Sequence, residues 1–280
     1  VLAVTEPGDE VILLRPYYFN HEMSVRMLGC VPVIVDCDAD YLPDPEAIAA
    51  AVTARTRAVV TVSPNNPSGN VFPAATIEAI AELCSHAGLW HIRDEAYEYF
   101  RDADAPLPRP GDPACTIYLF SLSKSHAFAG WRIGWSVAPD DLREALVKAQ
   151  DSNLICASRL TQAGAIACLQ AGPDWGRRHL PRLRETRAKL RAALAPLAPA
   201  VSMNDPRGAF YLMLRLDSPL ADMTVVERLV REAGVGVLPG SAFGLSDQCT
   251  LRVSYGAIEG EAAAEGIGRL ATGLETILTR

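Results

Sequence analysis

The 280-residue chain predicts an α/β fold, a mostly parallel mixed sheet sandwiched by helices, with a smaller α+β unit behind it. Three observations carry this. Short runs rich in Val and Ile, with no polar alternation, recur through the first half, as in strands covered on both faces. Helical stretches separate these runs, the order that builds a parallel sheet. After Pro139 the texture changes to longer helices and a second set of strands.

The first strands are "EVILL" (10–14), "VPVIV" (31–35), "AVVTV" (58–62), "LWHI" (89–92) and "TIYLFS" (116–121). The clearest helix between them spans 73–87. Pro73 starts it, Ile77, Ile80, Leu83 and Cys84 form its apolar side, and Gly88 stops it. "RIGWSVAP" (132–139) follows a strand with no crossover-length helix between, so it is expected to run antiparallel. Trp131, Ile133 and Trp135 predict that the segment before and within it is packed. "ADAPLPRPGDPA" (103–114) reads as a surface loop.

Helices follow at about 140–151, 158–171 and, long and basic, 174–195. Strands "AFYLMLRL" (209–216), "VGVLPG" (235–240) and "TLRVSYG" (250–256) alternate with helices near 222–233 and 259–278. The expected division is 1–175 for the large unit and 176–280 for the small one. The opening "VLAVTEPGDE" reads as the end of a helix already under way, stopped by Pro7 and Gly8, which predicts a segment upstream of Val1.

Composition narrows the function. Lys+Arg 26 against Asp+Glu 33 gives a net charge of −7, which argues against a nucleic-acid partner. No run of 18 apolar residues predicts a membrane helix. Seven cysteines, odd in number and without a C-x-x-C pair, read as reduced thiols in a cytoplasmic protein rather than a disulfide frame or zinc site. His21, His86, His91, His126 and His179 are scattered and imply no metal. The basic "RRHLPRLRETRAKLR" (177–191) reads as a solvated face or hinge.

Ligands of open α/β sheets sit at the carboxyl ends of strands, and polar residues collect there. "TVSPNNPSGN" ends one strand with Asn65 and Asn66 in a Pro/Gly turn. "LWHIRDEAYEYF" ends another with Asp94, and Tyr97 follows one helical turn on. "YLFSLSKS" ends a third with Ser121, Ser123 and Lys124. Each has an ordinary explanation: turn asparagines, a helix-capping Asp94, a solvated Lys124, a structural ion pair for Arg132. Pattern alone describes a polar pocket with a lysine.

"SPNNPSG", "DEAYEYF", "SLSKSHAFAGWRIGW" and "LRVSYG" together resemble the motifs of class I/II aminotransferases, pyridoxal-phosphate (PLP) enzymes of fold type I, over nearly the whole chain. The resemblance implies that Lys124 takes the cofactor aldehyde and later moves the substrate proton. It implies that Asp94 keeps the pyridine nitrogen protonated. Asn66 and Tyr97 would meet the ring hydroxyl, and Ser121, Ser123 and Arg132 the phosphate. Tyr18, rather than Tyr17, would stack on the ring. Arg252 would hold the substrate α-carboxylate as a planar fork, beside Asn66. "PGSAFG" (239–244) would be a loop near the substrate mouth.

The family's small-residue phosphate turn, its N-terminal arm and the tyrosine lent across its homodimer lie upstream of "PGDEV" and are expected in a preceding segment. The resemblance implies amino-group transfer between an L-amino acid and a 2-oxo acid in two half-reactions. A C–S lyase or decarboxylase of the same fold, or a non-catalytic truncated module, are the competing expectations. Where dicarboxylate-specific members carry an arginine, this chain has Asn153 and Leu154, with Arg159 nearby. "PYYFNHEM", "DEAYEYF" and "KAQDSNLICASRLTQ" are similar to a branch with plant methionine–aromatic aminotransferases, so methionine, aromatic or aspartate-like donors are expected.

Overall fold

The structure, a computed structural model, describes residues 1–102 and 107–279. Residues 103–106 of the expected proline-rich surface loop, and Arg280, lie outside the described residues.

In chain order the first half contains β1 (Glu10–Arg15), α1 (Phe19–Met27), β2 (Val31–Asp36), α2 (Pro45–Ala50), β3 (Thr56–Val62), α3 (Ala74–Ala87), β4 (Trp90–Asp94), β5 (Thr116–Ser121), α4 (Leu122–Ser125) and β6 (Gly134–Val137). The strands form one sheet in the order β2-β1-β3-β4-β5-β6. The first five run parallel, and β6 alone is antiparallel, pairing Ser121 with Gly134.

The alternation of side chains along a strand explains the layers. Ile12 and Leu14 point to one face and join Ile48 of α2 and Ile77 and Ile80 of α3. Val11 and Leu13 point to the other and join Val25 of α1, Val60, Ile92 and Ile117. Both faces of β1 are therefore buried, as its unbroken apolar run predicts. The same expectation fails for β2, an edge strand with Val31 and Ile34 exposed. Gly88 ends α3 in the left-handed region, as expected of a glycine stop.

The second half contains α5 (Arg143–Asn153), α6 (Arg159–Ala171), α7 (Asp174–Arg177), α8 (Leu180–Leu194), β7 (Val201–Met203), β8 (Tyr211–Leu216), α9 (Asp222–Arg228), β9 (Leu238–Pro239), β10 (Thr250–Ser254) and α10 (Gly260–Leu278). A second sheet, all antiparallel, runs β7-β8-β10-β9. Its core joins Leu212 and Leu214 to Leu190 of α8, to Leu229 just after α9 and to Leu274 of α10, and takes in Tyr97 and Phe100 from the first half.

Several expectations need correction. The helix expected over 174–195 is two helices, because Pro181 has no N–H to donate and sits in the first turn of α8. The basic side chains of α8 are pinned rather than free: Arg184 and Arg187 pair with Asp102, and Arg182 pairs with Glu259. "VGVLPG" supplies only the two-residue β9, and β7 was not anticipated. The helix near 222–233 becomes a π-turn at 229–233. "EAYEYF" is a chain of turns, closed by Glu98 N–H to Glu95 O and Phe100 N–H to Tyr97 O. Trp131 is not packed in; it is 51% exposed and stacks on Phe128, 5.2 Å between ring centroids.

Candidate active site

Three parallel strands end at one place. The turn after β3 carries Asn66, the end of β4 carries Asp94, and the end of β5 carries Ser121, followed at once by Ser123 and Lys124 on α4. Because β3, β4 and β5 are in-register neighbours, their ends share one edge of the sheet. Tyr18 and Phe19 at the start of α1 close one side, and Tyr211, Leu238 and Arg252 of the second sheet close another. The result is a cavity of about 350 Å³, within the ~300–1,000 Å³ range of small-molecule sites. Tyr18, Asn66, Asp94, Tyr97, Ser121, Ser123, Lys124, Arg132 and Arg252 all line it. Tyr17 does not; its ring packs instead at Gly244.

The turn that presents Asn66 depends on Gly69. Its φ is +73°, and a Cβ there would lie 2.3 Å from the carbonyl oxygen of Tyr211. Only glycine lets this turn press so closely on β8. Within the turn, Asn65 Oδ1 accepts from Ser68 N–H and Oγ–H, so Asn65 is a turn-former, while Asn66 faces the cavity.

Asp94 is held from both sides. Its Oδ1 accepts from the Ala96 N–H at 3.0 Å, and its Oδ2 lies 3.0 Å from His21 Nε2. Both side chains are mostly buried, 15% and 16% exposed. Each carboxylate oxygen keeps a free lone pair for a further donor. His21 was not singled out from the sequence. Its signal was spacing: it lies three residues after Tyr18, one helical turn along the same face of α1.

Lys124 remains solvent-accessible, yet its ammonium is pushed below the usual lysine range, chiefly by partial burial and then by repulsion from Arg252 and Arg132. Ser121 caps α4, its Oγ accepting from the Ser123 N–H at 3.1 Å. Arg132 has no carboxylate partner among the described residues; its Nη1 donates to the Ala129 carbonyl. That removes the structural ion pair as its explanation.

Arg252 is the most constrained of the set. Its Nη1 donates to Asn66 Oδ1 at 2.7 Å. Its guanidinium lies over the Tyr211 ring at 4.4 Å and the Phe243 ring at 4.9 Å. Its buried Nε has no partner among the described residues. Burial lowers its pKa, though a guanidinium stays charged. Tyr97 is buried, and its hydroxyl lies 2.7 Å from that of Tyr211. Tyr211 was also missed by sequence reading, and Phe243 was anticipated only as part of the loop 239–244.

The class I and II aminotransferase family model matches residues 1–270. This chain belongs to that family. It is 33% identical to an aromatic aminotransferase, ISS1, of Arabidopsis thaliana, over 99% of this chain and 72% of the plant protein. It is 32% identical to a probable aspartate/prephenate aminotransferase of Aquifex aeolicus, again over 99% and 72%. A solved tetra mutant of Thermus thermophilus aspartate aminotransferase superposes with a TM-score of 0.90 at 31% identity, covering 97% of this chain and 75% of that one. The chain is thus a PLP-dependent aminotransferase of the α/β fold that the sequence predicts. The cavity fits that cofactor chemically. It offers a held carboxylate, an amine of lowered pKa, phenols, and a guanidinium with hydroxyls. Among the described residues no cluster suits a metal ion, and no helix is long and apolar enough to cross a membrane.

Proposed function

We propose that this aminotransferase takes its amino group from an L-amino acid with an apolar side chain, methionine or an aromatic residue, and passes it to a 2-oxo acid. One observation carries the choice of donor. The cavity's cations are Lys124, Arg132 and Arg252, and the roles proposed below commit each to the cofactor or the α-carboxylate. The rest of the lining from α1 and the second sheet, Phe19, Tyr18, Tyr211 and Leu238, is aromatic or apolar. A second carboxylate would find no further guanidinium in this chain's own lining. The name of the plant relative, an aromatic aminotransferase, agrees.

Bound in this cavity, PLP supplies an aldehyde and a ring that withdraws electrons from the substrate Cα. The residues around it divide the remaining work. Lys124 would hold the aldehyde carbon; its lowered pKa favours the neutral amine that a nucleophile and a proton carrier require. The same amine would carry the proton taken from the substrate Cα. Asp94, fixed by His21 and the Ala96 N–H, keeps the ring nitrogen protonated. Asn66 and Tyr97 would hold the ring hydroxyl, and Tyr18 would cover the ring. Ser121, Ser123 and Arg132 bind the phosphate. Arg252, its plane set by two rings and Asn66, grips the α-carboxylate.

The working form is a homodimer in a reducing, cytoplasmic setting. Leu154, Ile155 and Leu160, 62%, 71% and 80% exposed around the turn between α5 and α6, suit a covered surface. All seven cysteines are free. Sedimentation showing only monomer at high concentration rejects the dimer. For the donor, PLP-loaded protein is offered a panel of amino acids, and conversion of the cofactor to its pyridoxamine form is followed by absorbance. Methionine and aromatic amino acids are expected to convert it faster than aspartate; preference for aspartate, or release of pyruvate and ammonia instead, refutes the proposal. Lys124→Ala should leave no cofactor covalently attached after borohydride reduction.

A further inference from the structure

Tyr211 is the first residue of β8, on the second sheet, yet its hydroxyl lies 2.7 Å from that of Tyr97, which follows β4 of the first. Its ring lies 4.4 Å beneath the guanidinium carbon of Arg252. Strand register explains both contacts. Arg252 of β10 pairs with Met213, and Tyr211 lies two residues before Met213, so it shares that face diagonally. Gly69 presses the Asn66 turn onto the Tyr211 carbonyl, which fixes the residue from behind.

Resting on the cofactor and substrate roles proposed above for Tyr97 and Arg252, we infer that Tyr211 is a positioning residue acting through both. Its O–H donates to Tyr97, which directs the Tyr97 proton at the cofactor's ring hydroxyl, and its ring sets the plane of Arg252. Two phenols in contact share one hydrogen bond between them, and one proton is left over. If Tyr97 donated to Tyr211, its proton would point away from the cofactor. The reverse order makes a directed chain from Tyr211 to Tyr97 to the ring oxygen, each bond strengthening the next. Burial raises the pKa of both phenols, so both stay neutral and neither drops out of the chain by ionising. Tyr97 also faces Asp94 and Arg252, and Tyr211 faces Arg252 and Tyr18. Lys124 and Arg132 line the same cavity.

The two functions separate by substitution. Tyr211→Phe keeps the ring under Arg252 and removes the hydroxyl; Tyr211→Leu removes both. The readout is the pH midpoint of the visible absorbance of PLP-loaded protein without substrate, which reports the charge on the cofactor's ring hydroxyl and its link to Lys124. Tyr97→Phe, which deletes a bond to a charged oxygen, should raise the midpoint by about 1–2 units. Tyr211→Phe should raise it by about 0.2–0.5 unit. The double variant should match Tyr97→Phe alone, since Tyr211 acts only through Tyr97. The amino-acid KM should stay within about twofold in Tyr211→Phe and rise about 3- to 30-fold in Tyr211→Leu. An unmoved midpoint in Tyr97→Phe defeats the underlying role of Tyr97. A midpoint that moves in Tyr97→Phe but not in Tyr211→Phe, or a Tyr211→Phe shift that persists in the double variant, overturns the inference about Tyr211. Equal KM effects of Phe and Leu overturn its role beneath Arg252.

Discussion

Replacing Arg252 by lysine tests the geometry of the site more sharply than deleting the charge, because the charge is kept. The arginine is held by Asn66 Oδ1 at 2.7 Å and by two aromatic faces, at 4.4 and 4.9 Å. A lysine offers one ammonium where the guanidinium offers a planar fork, so one of two charge-assisted bonds to a carboxylate is lost, about 1.5–3 kcal/mol. The stack on Tyr211 and Phe243 weakens as well, about 0.5–1 kcal/mol. Together these come to about 2–4 kcal/mol, or a loss of roughly 30- to 1,000-fold in kcat/KM. The assay is single-turnover conversion of PLP-loaded protein by an amino acid and, in parallel, by the amine that lacks its α-carboxylate. The amino acid should lose the full factor, and the amine, slow in both proteins, should lose little. Equal losses for the two donors would show that Arg252 does not read the carboxylate. An undiminished rate with the amino acid would sink the assignment outright.

Two further outcomes follow from the same structure. Asp94→Asn keeps the contacts to His21 and to the Ala96 N–H but removes the charge, so PLP should still bind while the amino-acid half-reaction slows by about 10²-fold or more; wild-type turnover in this variant would remove Asp94 from the ring nitrogen. His91, buried on β4 with Nε2 3.0 Å from Thr61 Oγ1, has its pKa pushed by burial down to about 3. The unfolded chain takes up that proton near pH 6.5 and the folded chain does not, so the contribution is full above about 6.5 and is lost as the pH falls toward 3. The loss reaches at most about 5 kcal/mol. Denaturant midpoints measured across this window should fall with acidification in the wild type and less steeply in His91→Gln; identical slopes would refute it.

What the sequence made legible was whatever lies close together along the chain or at a strand's end. Asp94, Lys124 and Asn66 each follow an apolar run whose direction in a parallel sheet is set by the crossover before it, so their convergence can be read without coordinates. Contacts between distant segments were not legible. His21 and Asp94 are 73 positions apart, and nothing in "FNHEMSVRM" marks one histidine as facing a carboxylate. Tyr211 required the register of β8 on β10, which a one-residue slip would have reversed. Trp131 went the other way: its bulk implied burial, but it precedes β6, an edge strand of the sheet, and lies half exposed.

That asymmetry has a physical source. The residues that the sequence singled out and the structure gathers in one cavity are those whose proposed chemistry fixes their type: an amine for an aldehyde, a carboxylate for a ring nitrogen, a guanidinium for an anion. The residues missed are those that aim the first set, and aiming can be done by many side chains. A histidine, an amide or a hydroxyl could each steady Asp94, and any flat apolar ring could lie under Arg252. What distinguishes His21 and Tyr211 is that each meets its target with a second commitment, His21 through its place one turn beyond Tyr18 and Tyr211 through its bond to Tyr97. A side chain tied at two points cannot be exchanged for another that satisfies only one. The Tyr211→Phe and Tyr211→Leu pair is therefore the direct measure of whether the second sheet only covers the cavity or also sets the angle at which its groups meet the cofactor and the substrate.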